Sequence, residues 1–566
     1  MMKKMFSNLM YLRPYLEGSR LLLVLSFGAL AMVSLIAMPI PLITGKIIDN
    51  LSSPQGTTHF LYQQVIIIIC LHVIRYVLSL IGKYYIVKAG TRASNVLRMK
   101  MIGHTVDMPM EFIDKHDKGY LMSRISESGS IGSLFSPSVI NILIGVLDGV
   151  ISVILLVRIH WKLSLIVLAI IPLYVVVTVW YSRRMSDSTR KVSESSAEMA
   201  GVMFETLNGI EEIKVQGAKQ RYISRIYTKT DQVITAILKQ NRNINGYMES
   251  SSLLSSLSGA IVLLFSGIMI LGKTLTLGEY VSFTGYLAKV LGNVQAVATF
   301  GVTINPIMVS IDRVREYMDN KDEEFGRRMV LSEPIHSVNI HNISYAYISG
   351  IEKRSVLDQL NVNLFTGDIV ILNGANGSGK TTFVKLLLGL YPVNKGTILY
   401  NGMDISCLKL SDLRRRVSYI SQKTYLFQGT ILDNILPNAQ PEQLVHLRAL
   451  LEKYQLQPFI SDFPNELDTE IAHGGANLSG GQRQMIAFLR TVLANKEMVI
   501  LDEPTANMDA IMKSRVIQMI ENEAFYKILV VISHDPDLFY LGKPLNLGES
   551  SREDGGQQFY MKNEDR

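Results

Sequence analysis

Six long apolar runs crowd the first 310 residues, and they limit this chain more than anything else in it. They lie at about residues 21–44, 60–81, 139–157, 163–181, 253–271 and 280–304. A hydrocarbon core takes roughly 20 helical residues to cross, and lipid offers no partner for a bare backbone N–H or C=O. Such runs can only be transmembrane helices. The last is the weakest by hydropathy, because Lys289, Asn293 and Gln295 interrupt it. If it spans, those side chains should face the bundle interior rather than lipid. A mean hydropathy of +0.22 over the whole chain suits a protein that is half membrane.

Loop charge sets the orientation. Lys88, Arg92, Arg98, Lys100, Lys115, Lys118 and Arg124 follow the second run, and Arg183, Arg184, Arg190, Lys191, Lys214, Lys219 and Arg221 follow the fourth. The other side has only Arg158, Lys162 and Lys273, and residues 49–59 carry no Lys or Arg. Positive loops stay inside, so both termini and two long loops are expected in the cytoplasm. This placement also accounts for the net charge of +7. No basic stripe with interleaved aromatics points to nucleic acid. Cys70 and Cys407 are the only cysteines, too few for a disulfide framework or a metal cluster. The N-terminal apolar run is too long for a signal-peptide core and reads as an uncleaved span. Residues 4–17 alternate apolar and polar groups, as an interfacial helix would.

From Val338 onward short β-rich runs alternate with helical stretches, the pattern of an α/β domain. A charge-mixed linker, 311–335, separates it from the membrane region 1–310, the soluble domain takes 336–548, and 549–566 form a polar tail. Within the soluble domain an apolar strand runs into Gly374-Ala375-Asn376-Gly377-Ser378-Gly379-Lys380-Thr381 and then a helix beginning at Thr382. This is the G-x-x-x-x-G-K-[ST] phosphate loop in its required strand–loop–helix setting. Lys380 is expected on the β and γ phosphates, with the Thr381 hydroxyl on Mg²⁺. A second apolar strand, Met498 to Leu501, ends in Asp502 and Glu503. Asp502 suits a Mg²⁺ ligand and Glu503 a base for the attacking water.

Between these motifs lies Leu478-Ser479-Gly480-Gly481-Gln482. With it, the chain resembles the ATP-binding cassette (ABC) transporters of the exporter type. The resemblance covers nearly the whole chain. It implies a multi-domain membrane protein, an all-α six-helix transmembrane domain joined to an α/β P-loop cassette ATPase domain, with ATP and Mg²⁺ as its cofactors. By resemblance, Tyr347 stacks on adenine, Gln422 reaches the metal and the water, Asp509 belongs to the loop Asn507-Met508-Asp509, and His534 contacts the γ-phosphate. Ser479, Gly480, Gly481 and Gln482 cap the phosphate held by a second chain, so the signature is half of a site. Short coupling helices are implied near residues 108–112 and 209–214. Residues 468–477 depart from the acidic form common in exporters.

The implied function is ATP-driven export by alternating access of a peptide, a lipid or a hydrophobic small molecule across the cytoplasmic membrane. The partner is a second half-transporter, an identical chain in the simplest case and a different half in the other. An ATP-gated channel or regulator on the same scaffold is the rival. About twenty residues precede the first span, too few for a fused leader-cleaving protease domain. His72, Arg75, Asn141 and Asp148 are the polar candidates for a substrate cavity, with Asp148 able to pair with Arg75.

Overall fold

The computed structural model describes residues 2–324, 326–349, 352–375, 377–437 and 439–547. The expected polar tail, 549–566, lies outside them. Two compact units result, one from Met1–Val106 and Lys118–Asn320, the other from Asp107–Asp117 and Lys321–Arg566.

The first unit is all helical: α1 (Met2–Leu16), α2 (Arg20–Ala37), α3 (Pro39–Ser52) and α4 (Thr58–Val106). After α5 (Met110–Lys115), which clusters with the other unit, it resumes with α6 (Lys118–Gly132), α7 (Pro137–Ile159), α8 (Trp161–Asn208), α9 (Ile210–Val215), α10 (Lys219–Leu271) and α11 (Leu277–Met318). At 1.5 Å per residue, α4, α8 and α10 are each roughly 70–80 Å long, more than twice a hydrocarbon core. They therefore extend well beyond any membrane they cross. Among the described residues five stretches are long and apolar enough to span: Met10–Ser52, Thr58–Val106, Lys118–Ile159, Trp161–Asn208 and Lys219–Leu271. The sixth expected span, α11, has the length at 42 residues but is not among these five.

The first apolar run is two helices rather than one, divided at Met38. Pro39 and Pro41 lack the N–H that a continuous helix needs, and Pro41 leaves the carbonyl of Ala37 without its i+4 donor. Lys289 of α11 supplies one, donating from Nζ to Ala37 O at 2.8 Å. Tyr286 donates its hydroxyl to Met38 O, and Ser282 donates to Pro41 O at 3.0 Å. The polar residue that interrupts the sixth run thus faces α2 and α3. Asn293 packs against α7, where a Cβ on Gly145 would come within 2.8 Å of its Oδ1. Asp148 accepts from Ser34.

In the second unit a parallel sheet runs β11–β3–β10–β9–β6, built from β3 (Ile369–Asn373), β6 (Val417–Ile420), β9 (Met498–Asp502), β10 (Ile528–Ile532) and β11 (Lys543–Asn546). Every residue of β9 and β10 is buried, as expected of central parallel strands covered on both faces. An antiparallel sheet runs β2–β1–β4–β5, from β1 (Ser337–Ser349), β2 (Glu352–Phe365), β4 (Lys395–Tyr400) and β5 (Met403–Asp404). The pair β7 (Gly429–Thr430) and β8 (Glu470–Ile471) completes the strands described. Helices α12 (Lys380–Leu387), α13 (Leu410–Arg416), α14 (Ile431–Ile435), α15 (Pro441–Lys453), α16 (Gln457–Ser461), α17 (Gly480–Ala494) and α18 (Ala510–Asn522) pack around them. Residues 321–335 are not a free connector. Leu331 and Ile335 join the buried core, and Glu323 pairs with Arg414 at 2.5 and 3.0 Å.

Candidate functional site

Strands β3, β9 and β10 lie side by side and end at the same edge of the sheet, where open α/β folds bind ligands. From β3 the chain turns through the phosphate loop into α12. Gly374, Gly377 and Gly379 have φ of 151°, 84° and 96°, in the left-handed region that suits glycine. At Gly379 a Cβ would also come within 3.0 Å of the Val356 carbonyl. The loop can bend this tightly only with glycine at these positions. Asn376 lies outside the described residues.

A cavity of about 390 Å³ opens on this edge. The phosphate loop contributes Gly377, Ser378, Gly379, Lys380, Thr381 and Thr382. Tyr347, Gln422, Asp502, Glu503 and His534 complete the ring of sequence candidates around it. Lys380 donates from Nζ to the carbonyls of Gly374 and Ala375 and lies 3.3 Å from His534 Nε2, so the phosphate lysine and the histidine share one end. The buried Ser378 hydroxyl has no partner among the described residues, an acceptor and donor aimed within the loop. Tyr347 is 37% exposed, and its hydroxyl is 3.1 Å from Thr382 Oγ1.

Asp502 and Glu503 follow each other yet sit in different environments. Burial pushes the Asp502 carboxyl above the usual carboxylate range, and the nearby Glu503 charge adds to this. A hydrogen bond from Tyr419 Oη at 3.3 Å, the Lys380 charge and the Gln422 backbone pull the other way. Glu503 has φ of 53°, a costly conformation for a residue with a side chain. Three hydrogen bonds hold it there. Its N–H donates to Ile532 O at 2.8 Å, and its carbonyl accepts from Ala506 N at 3.2 Å and from the side-chain amide of Gln484, a residue of α17 that is 3% exposed.

Metal fit follows from donor chemistry. Among the described residues no group of three or more His, Cys, Asp or Glu side chains could hold an ion unaided. The cavity offers instead three oxygen donors, the Thr381 hydroxyl, the Gln422 amide and the Asp502 carboxylate. That set fits Mg²⁺, a hard ion that keeps waters and phosphate oxygens and takes few protein ligands.

Ser479, Gly480, Gly481, Gln482 and Asp509 do not line this cavity. Ser479 caps α17, accepting from Gln482 N at 3.2 Å while its own N–H donates to Gln482 Oε1 at 2.9 Å. Asp509 caps α18 by accepting from Met512 N at 2.8 Å. The signature glycines pack on the loop after Glu503, and a Cβ on Gly481 would fall 2.6 Å from Asn507 O.

Sequence reasoning missed four residues here. Arg354 and Val356 of β2 line the cavity, and Arg354 is the cross-strand partner of Tyr347. Pairing the two strands as a hairpin around Tyr347 was the signal that could have found them. Gln484 and Tyr419 had no such signal, since both act through contacts distant in sequence. Helix α5 adds another polar group: Asp114 accepts from the Tyr391 hydroxyl and pairs with Lys385 Nζ at 3.4 Å. The Tyr391 ring stands edge-on to that of Tyr347, with centroids 5.8 Å apart.

Residues 23–294 match the ABC transporter transmembrane region, and residues 357–506 match the ABC transporter ATPase family. The chain therefore belongs to the ABC transporters and binds ATP. Fusing one such membrane region to one such ATPase domain, it is an exporter-type half-transporter. The uncharacterised ABC transporter ATP-binding protein YfiC of Bacillus subtilis is 26% identical over 92% of this chain and 86% of its own length. An ATP-dependent lipid A-core flippase of Pseudomonas fluorescens is 27% identical over 94% of this chain and 89% of its own. The lactococcin-A transport/processing protein LcnC of Lactococcus lactis is 26% identical, and the chain spans 62% of that longer protein. A bacterial Atm1-family ABC exporter solved with ATP bound has the same fold, at a TM-score of 0.76 and 20% identity over 95% of this chain and 94% of that one.

Proposed function

We propose that this protein is one half of an ATP-driven exporter that works by alternating access in the cytoplasmic membrane, with both termini and the ATPase domain on the cytoplasmic side. One observation carries the reading. The cavity gathers the phosphate loop, Gln422, Asp502, Glu503 and His534, whereas Ser479–Gln482 and Asp509 are not among its lining residues. A signature segment at a helix N-terminus with no site of its own is what a nucleotide held between two chains requires. The partner is a second half-transporter, an identical chain in the simplest case, because every catalytic position is filled.

In this reading Tyr347 stacks on adenine, and Lys380 with the N–H groups of the phosphate loop holds the β and γ phosphates. Thr381, Gln422 and Asp502 would hold Mg²⁺, which when bound supplies neutralisation of the phosphate charge. Glu503 takes a proton from the attacking water as its oxygen bonds to the γ-phosphorus and the bridging P–O bond to ADP breaks. His534 donates to a γ-phosphate oxygen. Ser479 and the backbone of Gly481 from the second chain cap that same phosphate. ATP thus contacts both halves and favours their closure, and hydrolysis removes the contact. The lipid A-core flippases and lactococcin transporters among its relatives support a lipid or a peptide as cargo.

The test is Glu503→Gln in the purified protein reconstituted in lipid. ATP binding should persist while turnover falls at least about 100-fold, the size of a lost general base. Steady hydrolysis by this variant would remove Glu503 from its role. ATP-dependent uptake into inside-out vesicles, blocked by a non-hydrolysable analogue, separates a pump from a gated channel.

A further inference from the structure

The membrane unit holds a cavity of its own, about 810 Å³, along α4. Four of its lining side chains are cations, Lys83, Lys88, Arg92 and Arg98, and none is a carboxylate. Leu80, Tyr84 and Val87 give it an apolar wall, with Pro137 at the start of α7 on the other side. A volume of this order suits an amphiphile of ordinary size.

Helical spacing explains the centre of this lining. Positions 80, 84, 87, 91, 95 and 98 repeat every three or four residues and form a single stripe. The opposite stripe, with Ile86, Ala89, Ala93 and Leu97, is buried within the unit. Ser94 donates to Ser128 O at 2.8 Å, which turns that side of α4 toward α6. The first stripe is left open by the packing, with Lys83 on one flank and Lys88 and Arg92 on the other. Among the described residues none of the four cations is ion-paired. Lys88 lies 5.7 Å from the Tyr84 ring centroid, and Arg98 Nε reaches Ser128 Oγ at 3.4 Å.

The position along the helix selects the ligand. The apolar run 60–81 ends where the cations begin, so the cavity straddles the boundary between hydrocarbon and headgroups. We propose that this groove binds an anionic amphiphile, with its phosphate held by Lys88 and Arg92 and its chain against Leu80, Tyr84 and Val87. A zwitterionic lipid would leave the positive charge uncompensated. A free anion would leave the apolar wall in water. The inference needs only that the chain spans a membrane, and it stands or falls separately from the direction of transport.

The full chain in phosphatidylcholine nanodiscs, probed with spin-labelled phosphatidylglycerol and spin-labelled phosphatidylcholine, tests it. The immobilised fraction should favour phosphatidylglycerol, and Lys88→Gln with Arg92→Gln should cut that preference about tenfold and flatten its dependence on salt. The conservative pair Lys88→Arg with Arg92→Lys should keep it, and helix content with melting temperature reports folding of each. Dodecyl phosphate should displace the labelled lipid far better than inorganic phosphate. Equal immobilisation of the two lipids, an unchanged preference in the double Gln variant, or equal competition by inorganic phosphate would each overturn the proposal.

Discussion

Gln484 lies outside the nucleotide cavity, yet its loss should slow the chemistry. Its side-chain amide donates to the carbonyl of Glu503, a residue held at φ of 53° by that bond, by one from Ala506 N to the same carbonyl and by one from its own N–H to Ile532 O. A non-glycine residue in this region stores about 1–3 kcal/mol of strain, kept only where its surroundings over-determine it. Gln484→Leu keeps the volume near that of Gln but removes the donor. The Glu503 carbonyl keeps its bond from Ala506 N at 3.2 Å, so the variant loses one hydrogen bond, about 0.5–1.5 kcal/mol, which should appear as a lower melting temperature. The same energy favours relaxation of Glu503 away from its productive geometry. At a factor of ten for about 1.4 kcal/mol, kcat should fall roughly 2- to 10-fold. KM for ATP should stay near that of the native protein, because no group that binds nucleotide has changed. Steady-state ATPase kinetics on the reconstituted protein, with fluorescent-nucleotide binding beside them, separate the two terms. An unchanged kcat, or a rise in KM with kcat intact, would refute the reasoning.

Two further outcomes follow from the same geometry. Burial raises the Asp502 carboxyl, and Tyr419 opposes this by hydrogen bonding to the ionised form. Tyr419→Phe removes the opposing bond, so the carboxyl rises further and the acidic limb of the ATPase pH profile should move to higher pH; no movement, or movement to lower pH, contradicts this. Asp114→Ala breaks a pair with Lys385 whose side chains are 28% and 40% exposed, worth about 1 kcal/mol or less, and removes the acceptor of the Tyr391 hydroxyl, worth about another 1 kcal/mol. If α5 is a coupling helix, transport in vesicles should drop more than ATP hydrolysis, and an equal loss of both would count against that role.

What the sequence revealed and what it hid divide along a physical line. The phosphate loop, the Asp502–Glu503 strand end and the long apolar runs were legible because each depends on neighbours in the chain: glycines for a turn, alternation or length for burial. The broken first span was half legible. Pro39 and Pro41 stood in plain view, but whether they ended the helix depended on donors from α11, more than 240 residues away. Gln484 and Tyr419 were silent for a related reason, since each acts across the fold on a residue whose own motif had already explained itself. Hydropathy ranked α11 lowest for the polar side chains that tie it into the bundle.

That last point has a consequence for anyone altering the membrane region. Lys289 and Pro41 look like two separate defects, a charge inside one span and a breaker inside another. Their contact at the Ala37 carbonyl makes them complementary. A substitution such as Lys289→Leu improves the hydropathy profile of the sixth helix and strands a carbonyl in the first. Sequence variants chosen to look more membrane-like would therefore yield a less well-made protein, and the two positions are best changed together or left alone.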